Sequence, residues 1–316
     1  MGAVPAPQRV LEAGLRVLVV LNHKGGTLSQ HKPREGLALV KAAFDAQGVD
    51  ATIVAARGRD ISSTIRRGLD SPPGFDVVVV GGGDGSINAA ASILAGTDIP
   101  LGVLPLGTFN HFAKDLGIPL ALDAAARVVM EGHSAVVDLG EVNGKVFVNN
   151  SSLGIYPHLV ATRERVQRRG LAKWAAAAVA ALVMLWRLPR PRLCVQAEGW
   201  HEDHQTPCLF IGNNPYDLDV FGSAKRSRLD SGLLYLCLVV RPSRFALLKL
   251  ALRALFGRLE AEQDLLQARL TEATIVPRRR VIHVALDGES LLLNGPLHYR
   301  IRPRALRVLV PKSAAS

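Results

Sequence analysis

Cysteine is scarce in this chain of 316 residues. The three present, Cys194, Cys208 and Cys237, are odd in number and lack C-x-x-C spacing, so neither a disulfide framework nor a zinc site is supported. A reducing compartment is the expectation. Aromatic residues make up 5% of the chain, and no run interleaves them with Lys and Arg as a stacking platform for single strands would, which argues against nucleic acid as a partner. Long apolar runs are missing too. The longest, Trp174 to Trp186, has thirteen residues, short of the ~20 that span a bilayer. The first apolar run ends at Leu21 and leads into Asn22-His23-Lys24-Gly25-Gly26 rather than a small-residue cleavage site. Ala6 stands where a myristoylation signal needs Ser or Thr. The P-loop pattern G-x-x-x-x-G-K-[ST] occurs nowhere, because Lys24 precedes its glycines. These absences predict a cytoplasmic protein, soluble or peripheral to a membrane.

What is present is globular. Hydrophobic residues make up 48% and charged residues 21%, and 29 Gly and 18 Pro spread along the chain imply many turns. The length suggests two domains, and no internal repeat is evident. Lys and Arg number 38 against 27 Asp and Glu, a net charge of +11. Residues 1–135 hold 12 basic and 12 acidic side chains, whereas residues 136–316 hold 26 and 15, so the second half carries the whole excess. A field of that sign attracts nucleic acid, anionic lipid or acidic substrates. The poverty of aromatics makes the first the weaker reading.

Up to about residue 135, short β-branched runs alternate with helical stretches, the pattern of a parallel sheet built from strand-helix-strand units. Val17 to Leu21 reads as a strand, followed by a turn and a helix around Pro33 to Gln47. Ala51 to Ala55 is a second strand. Asp76 to Val80 is a third, with the apolar run of a strand buried on both faces, and it enters Gly81-Gly82-Gly83-Asp84-Gly85-Ser86 before a helix over Ile87 to Ala95. Leu101 to Leu104 is a fourth, stopped by Pro105, with a helix expected near Thr108 or Asn110. From about Val136 regular strands predominate: Ala135 to Leu139, Lys145 to Asn149, Arg192 to Ala197, Pro207 to Ile211, Leu233 to Val240, Ala273 to Val276, Val281 to Leu286 and Leu306 to Val310. They predict a mostly antiparallel β domain. Two helical segments interrupt it. Arg163 to Trp186 begins basic and becomes apolar, while Ser243 to Arg258 places Phe245, Leu248, Leu252, Leu255 and Phe256 on one side and Lys249 and Arg253 on another. His201-Glu202-Asp203-His204 lacks H-E-x-x-H spacing and reads as a polar hairpin turn.

A buried strand that runs into a glycine-rich stretch and then a helix can cradle phosphate. Glycines turn backbone N–H groups toward an anion, and the helix adds its positive end. Asp84 would repel phosphate there unless a cation such as Mg²⁺ stood between them, and Ser86 offers a hydroxyl to the same group. The bland alternative is a tight turn with Asp84 as a cap. A dinucleotide fold is disfavoured, since the next strand ends at Leu104-Pro105-Leu106-Gly107 with no acid to hold a ribose.

Gly82-Gly83-Asp84-Gly85-Ser86 with Asn88, then Pro105 to Asn110 and Ala113 to Gly117, resemble the catalytic domain of the diacylglycerol kinase family, which includes sphingosine kinases and soluble bacterial lipid kinases. The resemblance continues through Val137 to Gly140, Asn149 to Gly154, Arg228 to Leu233 and Leu286-Asp287-Gly288-Glu289, and so covers nearly the whole chain in order. It implies an α/β fold of two domains. Residues 1–135 would form a parallel α/β nucleotide-binding domain like that of NAD kinases and diacylglycerol kinases. Residues 136–316 would form a mostly antiparallel β-sandwich for the lipid, with the C-terminal segment a candidate to return to the first domain and the active site in the cleft between. By similarity, Gly82, Gly83, Gly85 and Ser86 contact the phosphates of ATP, and Asn22, Thr108 and Asn110 lie on the nucleotide side. Asp84 organises Mg²⁺ and the reacting groups, Asp230 matches a position near a structural Mg²⁺ site of some bacterial members, and Glu289 is the general base toward a lipid hydroxyl, with Asp287 beside it. A carboxylate in reach of the attacking alcohol is what the chemistry requires. Asp287 and Glu289, two apart at a strand end, are expected on one face.

The chain departs from the family pattern at three places. Its first loop reads Asn22-His23-Lys24-Gly25-Gly26 instead of N-P-x-[SA]-G, His111 replaces the usual Asp, and Asp230-Ser231-Gly232 replaces D-D-G. The resulting expectation is an ATP- and Mg²⁺-dependent lipid kinase acting at an anionic membrane surface. The helical segments, with Arg278-Arg279-Arg280 as a further contact, are candidates to touch that surface, and dimers occur in the family. Two alternatives are an NAD kinase-like small-molecule kinase and a nucleotide- or lipid-binding regulator that has lost catalysis, the latter motivated by His111 and Ser231.

Overall fold

The computed structural model describes residues 8–9, 16–23, 33–46, 49, 51–131, 133–154, 191–197, 199–218, 224–226, 228–240 and 265–312. The chain divides into two compact units. The first takes residues 1–139, 227–232 and 302–316, and the second takes 140–226 and 233–301. The change of texture near residue 135 thus corresponds to a division at 139/140. Residues 227–232 join the first unit without any compositional mark of their own.

In the first unit a parallel sheet runs in the order Ala51–Ala56, Val17–Asn22, Val77–Gly82, Leu101–Pro105. The end of the long strand Leu297–Leu309 adds in parallel through Val308 opposite Leu101. All four valines from Val77 to Val80 are buried, as a central strand covered on both faces demands. Helices Pro33–Asp45 and Leu122–Glu131 pack on one another, as do Ile61–Asp70 and Asp84–Leu94. Ile61–Asp70 and Leu122–Glu131 go beyond the expected elements. Ile61–Asp70 contains Ser62, Ser63, Thr64 and Gly68, poor helix formers, and is held by burial of Ile61 and Ile65. Arg16 donates from its backbone N–H and its guanidinium to Asp76 at 2.9 to 3.1 Å, tying together the starts of two neighbouring strands. Those bonds hold the Asp76 carboxyl below the usual range.

The strand order carries a consequence for binding. From Val17–Asn22 the next strand lies to one side and the third to the other, so the order reverses there. Such a switch point opens a crevice at the carboxyl ends of the two strands, where open α/β sheets bind ligands. Asn22 ends one of those strands and Gly82 the other.

The second unit is antiparallel. One sheet of it runs Trp200–Gln205, Arg192–Ala197, Glu272–Pro277 and the beginning of Leu297–Leu309. The other runs Leu265–Leu270, Leu234–Val239, Cys208–Asn213, Asn150–Gly154, Val281–Leu286, Glu289–Asn294. Alternate residues of both sheets, among them Leu193, Val195, Ile275, Tyr299, Leu153, Leu209, Ile211, Leu236 and Val284, form one buried cluster. Period-2 burial from two facing sheets is the mark of a sandwich.

Several expected elements are corrected. His201 to His204 lie on an edge strand rather than in a turn, and the turn is formed around Gly199 (φ 71°). Charged residues suit an unpaired edge. Lys145 to Asn149 is not one strand: Lys145–Phe147 ends before a short loop, and Asn150–Gly154 pairs elsewhere. Leu265–Leu270 and Glu289–Asn294 are additional strands. The helical segments expected over Arg163 to Trp186 and Ser243 to Arg258 lie outside the described residues. No helix among the described residues is long and apolar enough to cross a membrane.

Candidate active site

The glycine-rich stretch of the first unit is less loop than expected. Gly82 still belongs to its strand, Gly83 is the N-cap, and Asp84, Gly85 and Ser86 form the first turn of helix Asp84–Leu94. Ser86 and Ile87 donate the first helical bonds, both to the Gly83 carbonyl, at 2.9 and 3.1 Å. The N–H groups of Gly83 to Gly85 precede those bonds, so they stand at the positive end of the helix. Asn22 reaches across the switch point and donates from Nδ2 to Ser86 Oγ at 2.9 Å. A Cβ on Gly82 would stand 2.5 Å from Ser86 Oγ, so the absence of a side chain there is what lets the strand end and the helix start close together.

A second loop completes this face. Gly107 packs so closely on Gly83 that a Cβ at Gly107 would overlap the Gly83 Cα. Asn110, buried and left-handed at φ 53°, shapes the loop from within: Oδ1 accepts from Gly107 N–H at 2.9 Å, while Nδ2 donates to the carbonyls of Pro105 and Gly107 at 3.1 and 3.0 Å. The Asn110 amide is therefore engaged in holding backbone. Thr108 is exposed at the tip. Phe109, 56% exposed, stacks on the His111 ring with centroids 5.6 Å apart. Asp84 caps the neighbouring helix rather than its own: Oδ2 accepts from His111 N–H at 3.3 Å and Oδ1 from Phe112 N–H at 3.1 Å. Asn22, the glycines, Asp84, Ser86 and Asn110 are thus brought together.

Asp287 and Glu289 belong to the second unit. They do not share a strand face. Asp287 (φ 47°) and Gly288 (φ 86°) form the two-residue turn of a hairpin in which Leu286 pairs with Glu289. Two positive φ angles in succession are what the Asp-Gly pair supplies in such turns. The Asp287 carboxylate accepts from the N–H groups of Val148, Asn149 and Asn150 at 2.8, 2.7 and 3.0 Å. Burial pushes its pKa up to about 6, opposed by those three N–H groups and by the charge of Arg226. Glu289 opens the next strand and is exposed.

Residues that the motifs do not mark support this turn. Arg226 is completely buried beside the Val148–Asn150 loop, and Asn213 and Tyr216 bond the same loop. Arg226 lies 78 residues from Val148 along the chain, so no local pattern could reveal the pairing. The Asn213-Asn214 pair after an apolar strand was the nearest available signal.

Asp84 suits Mg²⁺ as a single carboxylate acting with nucleotide phosphates, the usual arrangement for this ion. Among the described residues no group of three His, Cys, Asp or Glu gathers to hold a metal by itself. Asp230 does not suit it. Arg228 spans both carboxylate oxygens of Asp230, at 3.0 and 3.3 Å, and fills the place of a cation. The neighbouring buried Asp138 is taken by the N–H groups of Gly232 and Arg304 at 2.7 and 2.8 Å.

A family model described as the diacylglycerol kinase catalytic domain matches residues 16–142. A probable lipid kinase YegS-like protein of Pseudomonas fluorescens is 31% identical over 243 residues, covering 76% of this chain and 79% of that protein. The probable lipid kinase YegS of Escherichia coli is 28% identical over 246 residues, covering 75% and 79%. The crystal structure of a diacylglycerol kinase from Bacillus anthracis superposes with a TM-score of 0.69 over 96% of this chain and 100% of that one, at 19% identity, which shows a shared fold. With its switch-point glycine turn and its Asp-Gly-Glu hairpin, the chain belongs to the diacylglycerol kinase catalytic-domain family.

Proposed function

We propose that this protein is an ATP-dependent lipid kinase that transfers the γ-phosphoryl group to a lipid hydroxyl, with Glu289 as general base. The observation that carries the reading is the switch point of the first unit. There Asn22, Ser86 and the first N–H groups of helix Asp84–Leu94 meet at the carboxyl ends of two strands, next to the Asp84 carboxylate. That set binds a polyphosphate by backbone and helix end. Mg²⁺ held by Asp84 and the phosphates would neutralise charge on the transferred group. Asn110 and Gly107 keep the facing loop close without spending side chains on the ligand.

The second requirement is a proton acceptor. An alcohol loses its proton as it attacks phosphorus, so a carboxylate must lie within reach of the hydroxyl. Glu289 is exposed, and among the described residues it makes no ion pair, whereas Asp287 is committed to backbone N–H groups. In this reading Glu289 takes the proton and Asp287 holds the turn.

The lipid is reached at an anionic membrane surface. Supporting this are Arg192, Arg278, Arg279 and Arg280, all exposed and without an acidic partner among the described residues. Arg278 and Arg192 are neighbours, joined by a backbone bond of 3.2 Å. Val281 and Leu292 on the adjoining hairpin are 47% and 61% exposed. Guanidinium charge beside exposed aliphatic surface is the composition that binds anionic bilayers.

Transfer of labelled γ-phosphate from ATP with Mg²⁺ to a panel of lipids in mixed micelles tests the reading. Diacylglycerol, a sphingoid base, phosphatidylglycerol and a prenyl alcohol each present a suitable hydroxyl. Label entering the organic phase in one class is the expected result. Label entering NAD instead would overturn the lipid assignment, and ATP binding without transfer to any acceptor would favour a regulator.

A further inference from the structure

One fully buried charged group of the second unit has no part in the chemistry proposed above. Arg226 is 0% exposed. Its Nη1 donates to the carbonyls of Val148 and Asn213 at 2.6 and 3.2 Å, its Nη2 donates to Asn149 Oδ1 at 2.8 Å, and its guanidinium sits 5.7 Å from the centre of the Tyr216 ring. The carbonyl side of the Val148–Asn150 loop is otherwise filled by Asn213 Nδ2 on Val148 at 3.0 Å, and by Asn213 N–H and Tyr216 Oη on Asn149 at 2.9 and 3.0 Å. On the N–H side Asp287 accepts three times over. Asp287 N–H then returns a bond to the Asn150 carbonyl at 2.9 Å.

We infer that Arg226 is a positioning residue for Glu289: a cation on the carbonyl side and a carboxylate on the N–H side clamp one loop, and that clamp fixes the turn from which Glu289 projects. The inference rests on Glu289 as general base. Its physical content is polarisation. Peptide groups with a cation at the oxygen and an anion at the N–H are bonded more strongly at both ends than neutral partners achieve. Glu289 lies two residues beyond Asp287, so a loosened turn moves the carboxylate directly. Misplacement by about 1 Å costs of order 10²-fold in rate.

A purely structural arginine would change how much enzyme folds, but not the pH at which the folded enzyme loses activity. The clamp predicts otherwise. Among the described residues Arg226 is the charged group whose field acts on Asp287, and it opposes the upward push of burial. Without it Asp287 takes up a proton at higher pH, and a protonated carboxyl holds the three N–H groups poorly.

The experiment uses the full chain with Arg226→Met and Arg226→Lys. It measures kcat and KM for ATP across pH 5 to 8.5, together with a carboxyl ¹³C titration of Asp287. In Arg226→Met the acid limb of kcat and the Asp287 titration should both move to higher pH, with KM for ATP near the wild-type value. Arg226→Lys, which keeps the charge and loses the fork, should leave both titrations in place while kcat falls about 10- to 100-fold. Unmoved limbs and an unmoved Asp287 titration in folded Arg226→Met would overturn the proposal. If that variant does not fold, wild-type kcat in Arg226→Lys would overturn it instead. A wild-type enzyme that phosphorylates no lipid, while Asp287 still shifts in Arg226→Met, would leave the clamp standing and remove the kinase reading on which Glu289's role depends.

Discussion

Asp84 in the first unit and Asp287 in the second do the same local work in different surroundings. Each accepts from backbone N–H groups of a loop distant in sequence: Asp84 from His111 and Phe112, Asp287 from Val148, Asn149 and Asn150. Asp84 is half-buried at the mouth of a helix turn, with two bonds longer than 3.0 Å. Asp287 has three bonds of 3.0 Å or less and a burial cost large enough to raise its pKa to about 6. Both carboxylates are half-buried, so the contrast is one of grip: three short bonds commit Asp287 to its loop, and two longer ones hold Asp84 less tightly. The same motif ties two helix starts together in the first unit and holds a hairpin turn in the second.

Substitution should separate the two roles. Asp84→Ala is expected to abolish phosphate transfer, by about 10³-fold or more, while stability falls by only about 1 kcal/mol, the usual worth of a helix cap. Asp287→Asn should show the reverse weighting. It replaces a carboxylate that accepts three loop N–H groups by an amide with one accepting oxygen, and urea unfolding should report a loss of about 1–3 kcal/mol. Equal stability losses in the two variants would erase the contrast.

Gly107→Ala probes the close approach that builds the nucleotide face. Its Cβ would overlap Gly83, so a stability loss of about 1–3 kcal/mol is expected, with a raised KM for ATP. Wild-type KM would show that the two loops can part without affecting the ligand. In the second unit pH replaces mutation as the probe. Asp287 titrates near 6 in the folded protein against an ordinary value of 3.8, so the folded state holds more protons between those values. Its contribution to stability is therefore present at low pH and is lost as pH rises toward 6, levelling off above. Activity should run the opposite way and rise through about pH 6, as the ionised carboxylate takes hold of its loop. The smallest effect is expected at Phe109→Ala, within about 0.5 kcal/mol, because that ring is mostly in solvent.

Much of the first unit was legible in the residues. Val77 to Val80 could only be a strand buried on both faces, and the glycines after it could only be a turn that brings backbone close to something. Where the helix began was not legible, because Asp84-Gly85-Ser86 reads as loop by propensity and becomes helix through the bonds to the Gly83 carbonyl. The Asp287-Glu289 pair shows a competing rule prevailing: alternation would place both on one face, but Asp-Gly is a hairpin signal, and the turn sends the two carboxylates to different tasks. Asp230 was marked by motif, yet Arg228, two residues away, occupies it. Arg226 had no local signal at all. Its hydrogen-bond partners come from two segments distant in sequence, and only their assembly in space explains why a guanidinium is buried there.

In the proposed reaction one carboxylate serves the nucleotide and another serves the lipid hydroxyl. Asp84→Ala and Glu289→Gln, assayed side by side for ATP affinity in Mg²⁺ and for transfer of labelled γ-phosphate to lipid, test it most directly. Both variants should lose transfer, with ATP affinity weakened in Asp84→Ala and unchanged in Glu289→Gln. Wild-type turnover by folded Glu289→Gln would contradict it.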